Sequence, residues 1–240
     1  MTERRLNKKK VVWVAMLLGI AALFLYQLGL FLMVLWYSFQ NPGTTAFMSA
    51  ALRELRVNDP TATISQQWVP YDQISASLKR AVVASEDSNF FAHEGVEWEA
   101  IRHAWEYNRR QAQKGETRRL GGSTITQQLA KNLFLSSSRS YLRKGQELIL
   151  TYMIEAVMDK RRILELYLNV AQWGKATFGA QAAARHYFKT DAHRLGNRQA
   201  AQLAAMLPNP VLYDAKRNTP YLNSRTNTVE QRLRQIRLPD

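Results

Sequence analysis

The chain has 240 residues, 46% of them hydrophobic, no cysteine and a formal net charge of +14. That length holds one ordinary domain plus a short extra segment. The lack of cysteine excludes a disulfide framework and a thiolate metal site, and His93, His103, His186 and His193 form no metal-binding spacing such as H-E-x-x-H.

Residues 1–10 form a basic tail with Arg4, Arg5, Lys8, Lys9 and Lys10. Val11 to Phe39 then runs without a charged side chain. As a helix, this stretch would measure about 43 Å, against a hydrocarbon core of roughly 30 Å. A cleaved signal peptide is the rival reading, but the small residues Ser49-Ala50-Ala51 lie well past the run. A retained transmembrane helix over 11–39 is therefore expected. The basic flank precedes the span and 40–52 is uncharged, so the positive-inside rule places the N-terminus in the cytoplasm and the rest outside it. Trp13, Trp36 and Tyr37 stand near the two ends, as interfacial aromatics do. The first ten residues hold five positive charges and one negative, leaving +10 for the exported part. Such a charge suits anionic lipid or an anionic substrate. Nucleic acid is excluded as a partner, because an exported domain does not ordinarily meet it.

Residues 40–67 read as a juxtamembrane connector, and 68–240 as the main domain. Asn41-Pro42-Gly43 breaks the first helix, and 46–57 suits a short amphipathic helix. Residues 57–70 read as extended or loop. From Tyr71 the pattern is helical, with Ile74, Leu78 and Val82 recurring every four residues up to Glu86. A further helix is predicted over 97–113, then a glycine-punctuated basic loop at 114–122, taken to be mobile. Thr124-x-x-Gln127 is a capping box opening the next helix. Residues 142–157 are apolar nearly all round, which predicts a central, buried helix. Asp159 caps a helix to Asn169. Alanine-rich helices follow at 178–188 and 198–207, the second ended by Pro208-Asn209-Pro210, and a last helix covers 222–236. Strand signals are few, so the fold class is mainly α.

Four segments could carry chemistry. Glu86 to Gly95 gathers carboxylates and an imidazole beside Phe90 and Phe91. A glutamate at a helix end against aromatic rings suits a general base or acid, although a surface acidic turn with buried phenylalanines is the better reading of this segment taken alone. Gly121 to Asn132 is a glycine turn entering a helix, with hydroxyls and Lys131 at its start, which fits an anion or sugar site or an ordinary capped helix. Lys144 and Glu147 share one face at the head of the apolar helix, in a catalytic group or a structural ion pair. The fourth segment, 160–169, reads as structural, with an Ile163, Leu166 and Tyr167 stripe.

In order and residues, these segments resemble the peptidoglycan glycosyltransferase family (glycosyltransferase family 51), the lysozyme-like enzymes that polymerise lipid II. The likeness covers roughly 68–222. It rests on E-D-x-x-F-x-x-H-x-G at 86–95, G-x-S-T-I-x-Q-Q-x-x-K-N at 121–132, R-K-x-x-E at 143–147 and K-x-x-I-L-E-x-Y-L-N at 160–169. Thr151 departs from the family, which more often has alanine there.

The resemblance implies a lysozyme-like glycosyltransferase domain that joins disaccharide units through β-1,4 bonds, with inversion, and releases undecaprenyl pyrophosphate. Glu86 matches the family's base and Glu147 its second essential glutamate. Lys131, Arg139, Arg143 and Lys144 would hold the pyrophosphate. Thr124, Gln127 and Gln128 would contact sugar or phosphate oxygens, while Asp87, Phe90 and His93 would shape the pocket. Asn132 and Asn169 are read as supports. No cofactor is required by the sequence, and Mg²⁺ or Mn²⁺ would be shared with the pyrophosphate.

The implied partners are lipid II, the growing glycan, membrane lipids, and divisome or other cell-wall synthesis proteins. The implied location is a bacterial inner membrane, crossed once, with the catalytic domain periplasmic. No S-x-x-K occurs, so the monofunctional form without transpeptidase activity is expected. Two alternatives stand beside this reading. A lytic enzyme of the same fold would need no cationic clamp, and a non-catalytic anchored scaffold would not need both glutamates.

Overall fold

The computed structural model describes residues 8–116, 120–135 and 140–239. Residues 117–119 of the predicted loop and the candidate Arg139 lie outside them. The chain divides into two units, Met1–Gln40 and Asn41–Asp240.

The first unit is a single helix, α1 (Lys8–Phe39), long and apolar enough to cross a membrane. Its 32 residues span about 48 Å. Large apolar side chains such as Leu18 and Phe24 stand outward on it. A helix that is apolar on every face suits a lipid surround.

The second unit is mainly helical. It opens with α2 (Ala46–Asn58), which begins where the Thr45 hydroxyl accepts the Met48 N–H at 3.1 Å. Two of its residues later in the chain form β1 (Ser65–Gln66), paired in parallel with β2 (Thr177–Phe178). Nearby, the buried Asn169 side chain exchanges two 2.9 Å hydrogen bonds with the backbone of Val69. Helix α2 also packs on α5. Residues 41–67, read from the sequence as a connector, are thus packed within the unit.

The next helix starts later than the pattern predicts. Tyr71–Gln73 forms a 3-10 turn, Ile74 is extended, and α3 (Ala76–Glu86) begins after Ser75 caps the Leu78 N–H. Helix α4 (Trp98–Gln113) follows as predicted. Helix α5 (Ile125–Phe134) carries the expected capping box: the Thr124 hydroxyl accepts from Gln127 N, and Gln127 Oε1 accepts from Thr124 N.

Helix α6 (Tyr141–Val157) corrects the sequence reading. It buries one stripe only, made of Glu147, Leu150, Thr151 and Ile154, and sets that stripe against α5. Tyr141 and Leu142 are 98% and 89% exposed, and Ile149 and Tyr152 are exposed as well. An apolar composition does not distinguish a helix covered on all sides from one with a single packed face.

Helix α7 (Lys160–Val170) is capped by Asp159 as predicted. Phe178, expected in the next helix, belongs to β2, and α8 (Ala180–Phe188) begins after Gly179 at φ +80°. A Cβ at Gly179 would lie 2.6 Å from the Asn169 carbonyl oxygen, so close backbone approach and positive φ both call for glycine. After α9 (Asn197–Met206), the Pro208-Asn209-Pro210 segment does more than end a helix. Asn209 caps, and Pro210 starts, the short α10 (Pro210–Ala215). Helix α11 (Pro220–Arg232) closes the fold. The core has two helical groups: α9 against α3 and α11, and α5 between α6 and α7. Trp173, Tyr167, Phe90 and Phe178 are its largest fully buried side chains.

Candidate active site

Glu86 is the last residue of α3, at the helix end that points its carboxylate toward α5 and α11. Gln128 Nε2 donates to Glu86 Oε2 at 3.0 Å, and the Tyr167 hydroxyl donates to Gln128 Oε1 at 2.8 Å. The other oxygen, Oε1, takes the Ser85 hydroxyl at 3.3 Å and lies 3.5 Å from Arg225 Nη2. With its side chain only 11% exposed, burial pushes the Glu86 carboxyl up from the ordinary range. The Gln128 hydrogen bond, the Arg225 charge, Ser85 and the Lys131 charge oppose that rise without cancelling it.

Asp87, next in sequence, turns the opposite way and is buried. Its carboxylate accepts the Ile125 N–H at 2.9 Å, at the start of α5. His93 Nε2 lies 2.9 and 3.0 Å from its two oxygens. The Gly95 N–H donates to His93 Nδ1 at 3.0 Å, which assigns the proton to Nε2 and makes His93 the donor to Asp87. The Thr124 hydroxyl donates to the Gly95 carbonyl at 2.5 Å. Asp87, His93, Gly95 and Thr124 thus fasten the 86–95 turn to the head of α5.

Glu147 is 3% exposed and lies between two cations, with Arg143 Nη1 at 2.6 Å and Lys144 Nζ at 2.5 Å. Lys144 also donates to Ser123 at 3.2 Å, tying α6 to the glycine turn before α5. Lys131 feels both glutamates. Burial lowers the pKa of its ammonium group, the Glu147 and Glu86 charges oppose that, and Arg143 and Lys144 reinforce it. Carboxylate, lysine and a second carboxylate with two cations therefore form one electrostatic array across α3, α5 and α6.

Two clefts adjoin this array. One of about 190 Å³ is bordered by Glu86, Asp87, Glu97 and the Gly121–Thr124 turn. Another, of about 200 Å³, is bordered by Phe47, Gln128, Lys131, Tyr167 and Gln172.

Of the residues singled out in the sequence, Glu86, Gln128, Lys131, Arg143, Lys144 and Glu147 come together. Asp87, His93, Thr124 and Gln127 are engaged within the fold instead. Thr124 and Gln127 are 3% and 1% exposed, with the Thr124 hydroxyl and the Gln127 side-chain oxygen engaged in the capping box and with Gly95. Phe90 is fully buried, under the Lys160 ammonium at 4.7 Å. Sequence reasoning missed Tyr167, Ser85 and Arg225. Tyr167 stood in a recognised motif but was taken for part of an apolar stripe, and Arg225 lies beyond the four motifs.

The donor sets do not fit a resident metal. Asp87, His93 and Glu97 are the one acidic and imidazole trio close enough together among the described residues. Both nitrogens of His93 are already in hydrogen bonds, and Glu97 accepts from Asn89 at 2.6 Å. Both oxygens of Glu147 are held by cations.

A mainly helical domain that sets two buried glutamates beside Lys131, Arg143 and Lys144 suits a glycosyl-transfer enzyme. Residues 53–234 match the Transglycosylase family, and the chain belongs to it. The biosynthetic peptidoglycan transglycosylase of Bordetella pertussis is 62% identical over 238 residues, 99% of this chain and 98% of its own. The protein of the same name from Janthinobacterium sp. (strain Marseille) is 51% identical over 98% of this chain and 100% of its own. That of Methylobacillus flagellatus is 47% identical over 96% and 99%.

Proposed function

We propose that the protein polymerises lipid II into β-1,4-linked glycan strands, inverting the donor anomeric carbon and releasing undecaprenyl pyrophosphate. The observation that carries this reading is the pairing of unlike glutamates. Glu86 is held mainly by neutral donors with its pKa raised, whereas Glu147 is held by cations. A carboxylate with a raised pKa is the better proton acceptor near neutral pH. In the proposed step, the acceptor 4-hydroxyl gives its proton to Glu86 as its oxygen bonds to the donor anomeric carbon. The bond from that carbon to the pyrophosphate oxygen breaks, and the electron pair leaves with the pyrophosphate.

Lys131, Arg143 and Lys144 meet that charge, and Glu147 holds Arg143 and Lys144 in place for it. Arg139 would add a fourth cation. Asp87, Phe90, His93, Thr124 and Gln127 keep the frame in which Glu86 and Gln128 stand. The side-chain cations supply the positive charge, so no metal held by the protein alone is needed, and Mg²⁺ or Mn²⁺ would enter with the pyrophosphate. Helix α1 supports a membrane anchor, and its basic flank supports a cytoplasmic N-terminus with the catalytic unit on the outer side of a bacterial inner membrane. There it would meet a lipid-linked substrate, the growing strand and other cell-wall synthesis proteins. The absence of an S-x-x-K motif supports transfer without transpeptidation.

The test is purified full-length protein in detergent with lipid II, its products sized by gel, alongside Glu86→Gln and Glu147→Gln. Glycan ladders from the wild type and none from Glu86→Gln are expected. Ladders at the wild-type rate from Glu86→Gln would remove it as the base. Cleavage of finished peptidoglycan without polymerisation would make the enzyme lytic.

A further inference from the structure

The motifs account for one side of the Glu86 carboxylate and leave the other to α11. Arg225 reaches across from α11 and donates through Nη2 to the Ser85 hydroxyl at 3.0 Å, with Glu86 Oε1 at 3.5 Å. With its lone pair engaged by Arg225, the Ser85 hydroxyl turns its hydrogen toward Glu86 Oε1 and the Ala204 carbonyl, each at 3.3 Å. The guanidinium thus acts on Oε1 directly by charge and indirectly by orienting Ser85. Arg225 Nε is buried, with no hydrogen-bond partner among the described residues. A half-buried guanidinium with a buried, idle Nε donor is a costly group to keep for packing alone.

We infer that Arg225, with Ser85, is a positioning residue for the transfer reaction, fixing the Glu86 carboxylate from the side opposite Gln128. The inference rests on the reading of Glu86 as the base. Each carboxylate oxygen offers about two acceptor sites. Oε1 already has both Ser85 and Arg225 against it, whereas Oε2 has Gln128 alone. The open position for an incoming hydroxyl proton is therefore on Oε2, beside Gln128. The other ionisable groups facing Glu86 are Lys131 from α5 and Tyr167 from α7. Arg225 is the cation among them whose contacts are all on the Glu86 side of the array, since Lys131 is shared with Glu147.

The experiment is the pH profile of kcat/KM for polymerisation by the full-length enzyme. It compares wild type, Arg225→Gln, Arg225→Lys, Ser85→Ala and Glu86→Gln, each checked for an unchanged melting temperature. Arg225→Gln is expected to lower kcat/KM about tenfold to a hundredfold at neutral pH. Its acidic limb should move to higher pH, so that part of the loss is recovered in alkaline buffer, and kcat should fall more than KM rises. Arg225→Lys should return the limb toward the wild-type position, and Ser85→Ala should move it upward less far. Ser85→Ala keeps the inference testable if Arg225→Gln does not fold. An inactive Glu86→Gln together with wild-type acidic limbs in the Arg225 and Ser85 variants would overturn the inference alone. A fully active Glu86→Gln would instead overturn the assignment of the base.

Discussion

Gln128 donates to Glu86 Oε2 at 3.0 Å while its own carbonyl accepts from the Tyr167 hydroxyl at 2.8 Å. An amide can be turned over at little steric cost, which would bring its oxygen against the carboxylate. The Glu86 carboxylate, which only accepts, opposes that turn, and the Tyr167 hydroxyl holds the amide oxygen in the observed orientation. Burial raises the pKa of this hydroxyl well above its usual range, so it stays a donor throughout the working pH of the enzyme.

Tyr167→Phe should therefore cost activity out of proportion to stability. The lost hydrogen bond is expected to reduce folding stability by about 1–2 kcal/mol, read from denaturant unfolding. It should also lower kcat severalfold or more with little change in KM, since Gln128 no longer holds one orientation. A variant with wild-type kcat would show that Gln128 is fixed by other means.

Asp87 and Glu86 are neighbours with separate duties. Asp87→Ala would leave the Ile125 N–H and the His93 Nε2–H without their buried acceptor. A loss of about 2–4 kcal/mol of folding stability is expected, whereas Glu86→Gln should fold as well as the wild type or better, since a buried carboxylate is removed. Comparing the two denaturation midpoints checks this division. Equal destabilisation by both would contradict it.

Much of this arrangement was legible in the sequence because its signals are local. The Thr124–Gln127 capping box and the Asp159 cap act within three residues and stand in the sequence reading, whereas the equally local Thr45 and Ser75 caps do not. What could not be read depends on contacts between distant parts of the chain. Whether α6 is covered on one side or all round depends on which helices lie beside it, and its apolar stretch looks the same either way. Ser65–Gln66 become a strand only because Thr177–Phe178 arrive alongside. Within the site, the charged members were visible as charges in motifs. The roles of Tyr167 and Arg225 come from neighbours 39 and 139 positions away. Conversely, Thr124 and Gln127 read as ligands because they are polar, whereas the Thr124 hydroxyl and the Gln127 side-chain oxygen are engaged in the capping box and with Gly95.

Gly95 links the two halves of the site. Its φ is +86°, and a Cβ there would sit 2.7 Å from Glu155 Cγ and 2.8 Å from Thr151 Cγ2. Thr151 itself, the position that departs from the family pattern, donates its hydroxyl to the Glu147 carbonyl at 2.8 Å. Gly95→Ala is expected to destabilise by about 2–4 kcal/mol through backbone strain and overpacking together. Adding Thr151→Ala should recover part of that loss and not all of it, because Glu155 remains. Thermal melts of the single and double variants measure the recovery, and strict additivity would mean that the two positions do not press on one another.

Lys131 is expected to set the alkaline side of the reaction. Burial lowers its pKa, with Arg143 and Lys144 adding to the effect and the two glutamates resisting it. A group whose pKa is lowered gives up its proton at a lower pH than free lysine does. If its charge meets the departing pyrophosphate, kcat/KM should fall as pH rises through that lowered value. Lys131→Arg keeps its charge far into the alkaline range. It should therefore move the alkaline limb to higher pH, even where a poorer fit lowers the maximum. Lys131→Met should lose activity by about a hundredfold or more at every pH. An alkaline limb left in place by Lys131→Arg would assign that limb to another group.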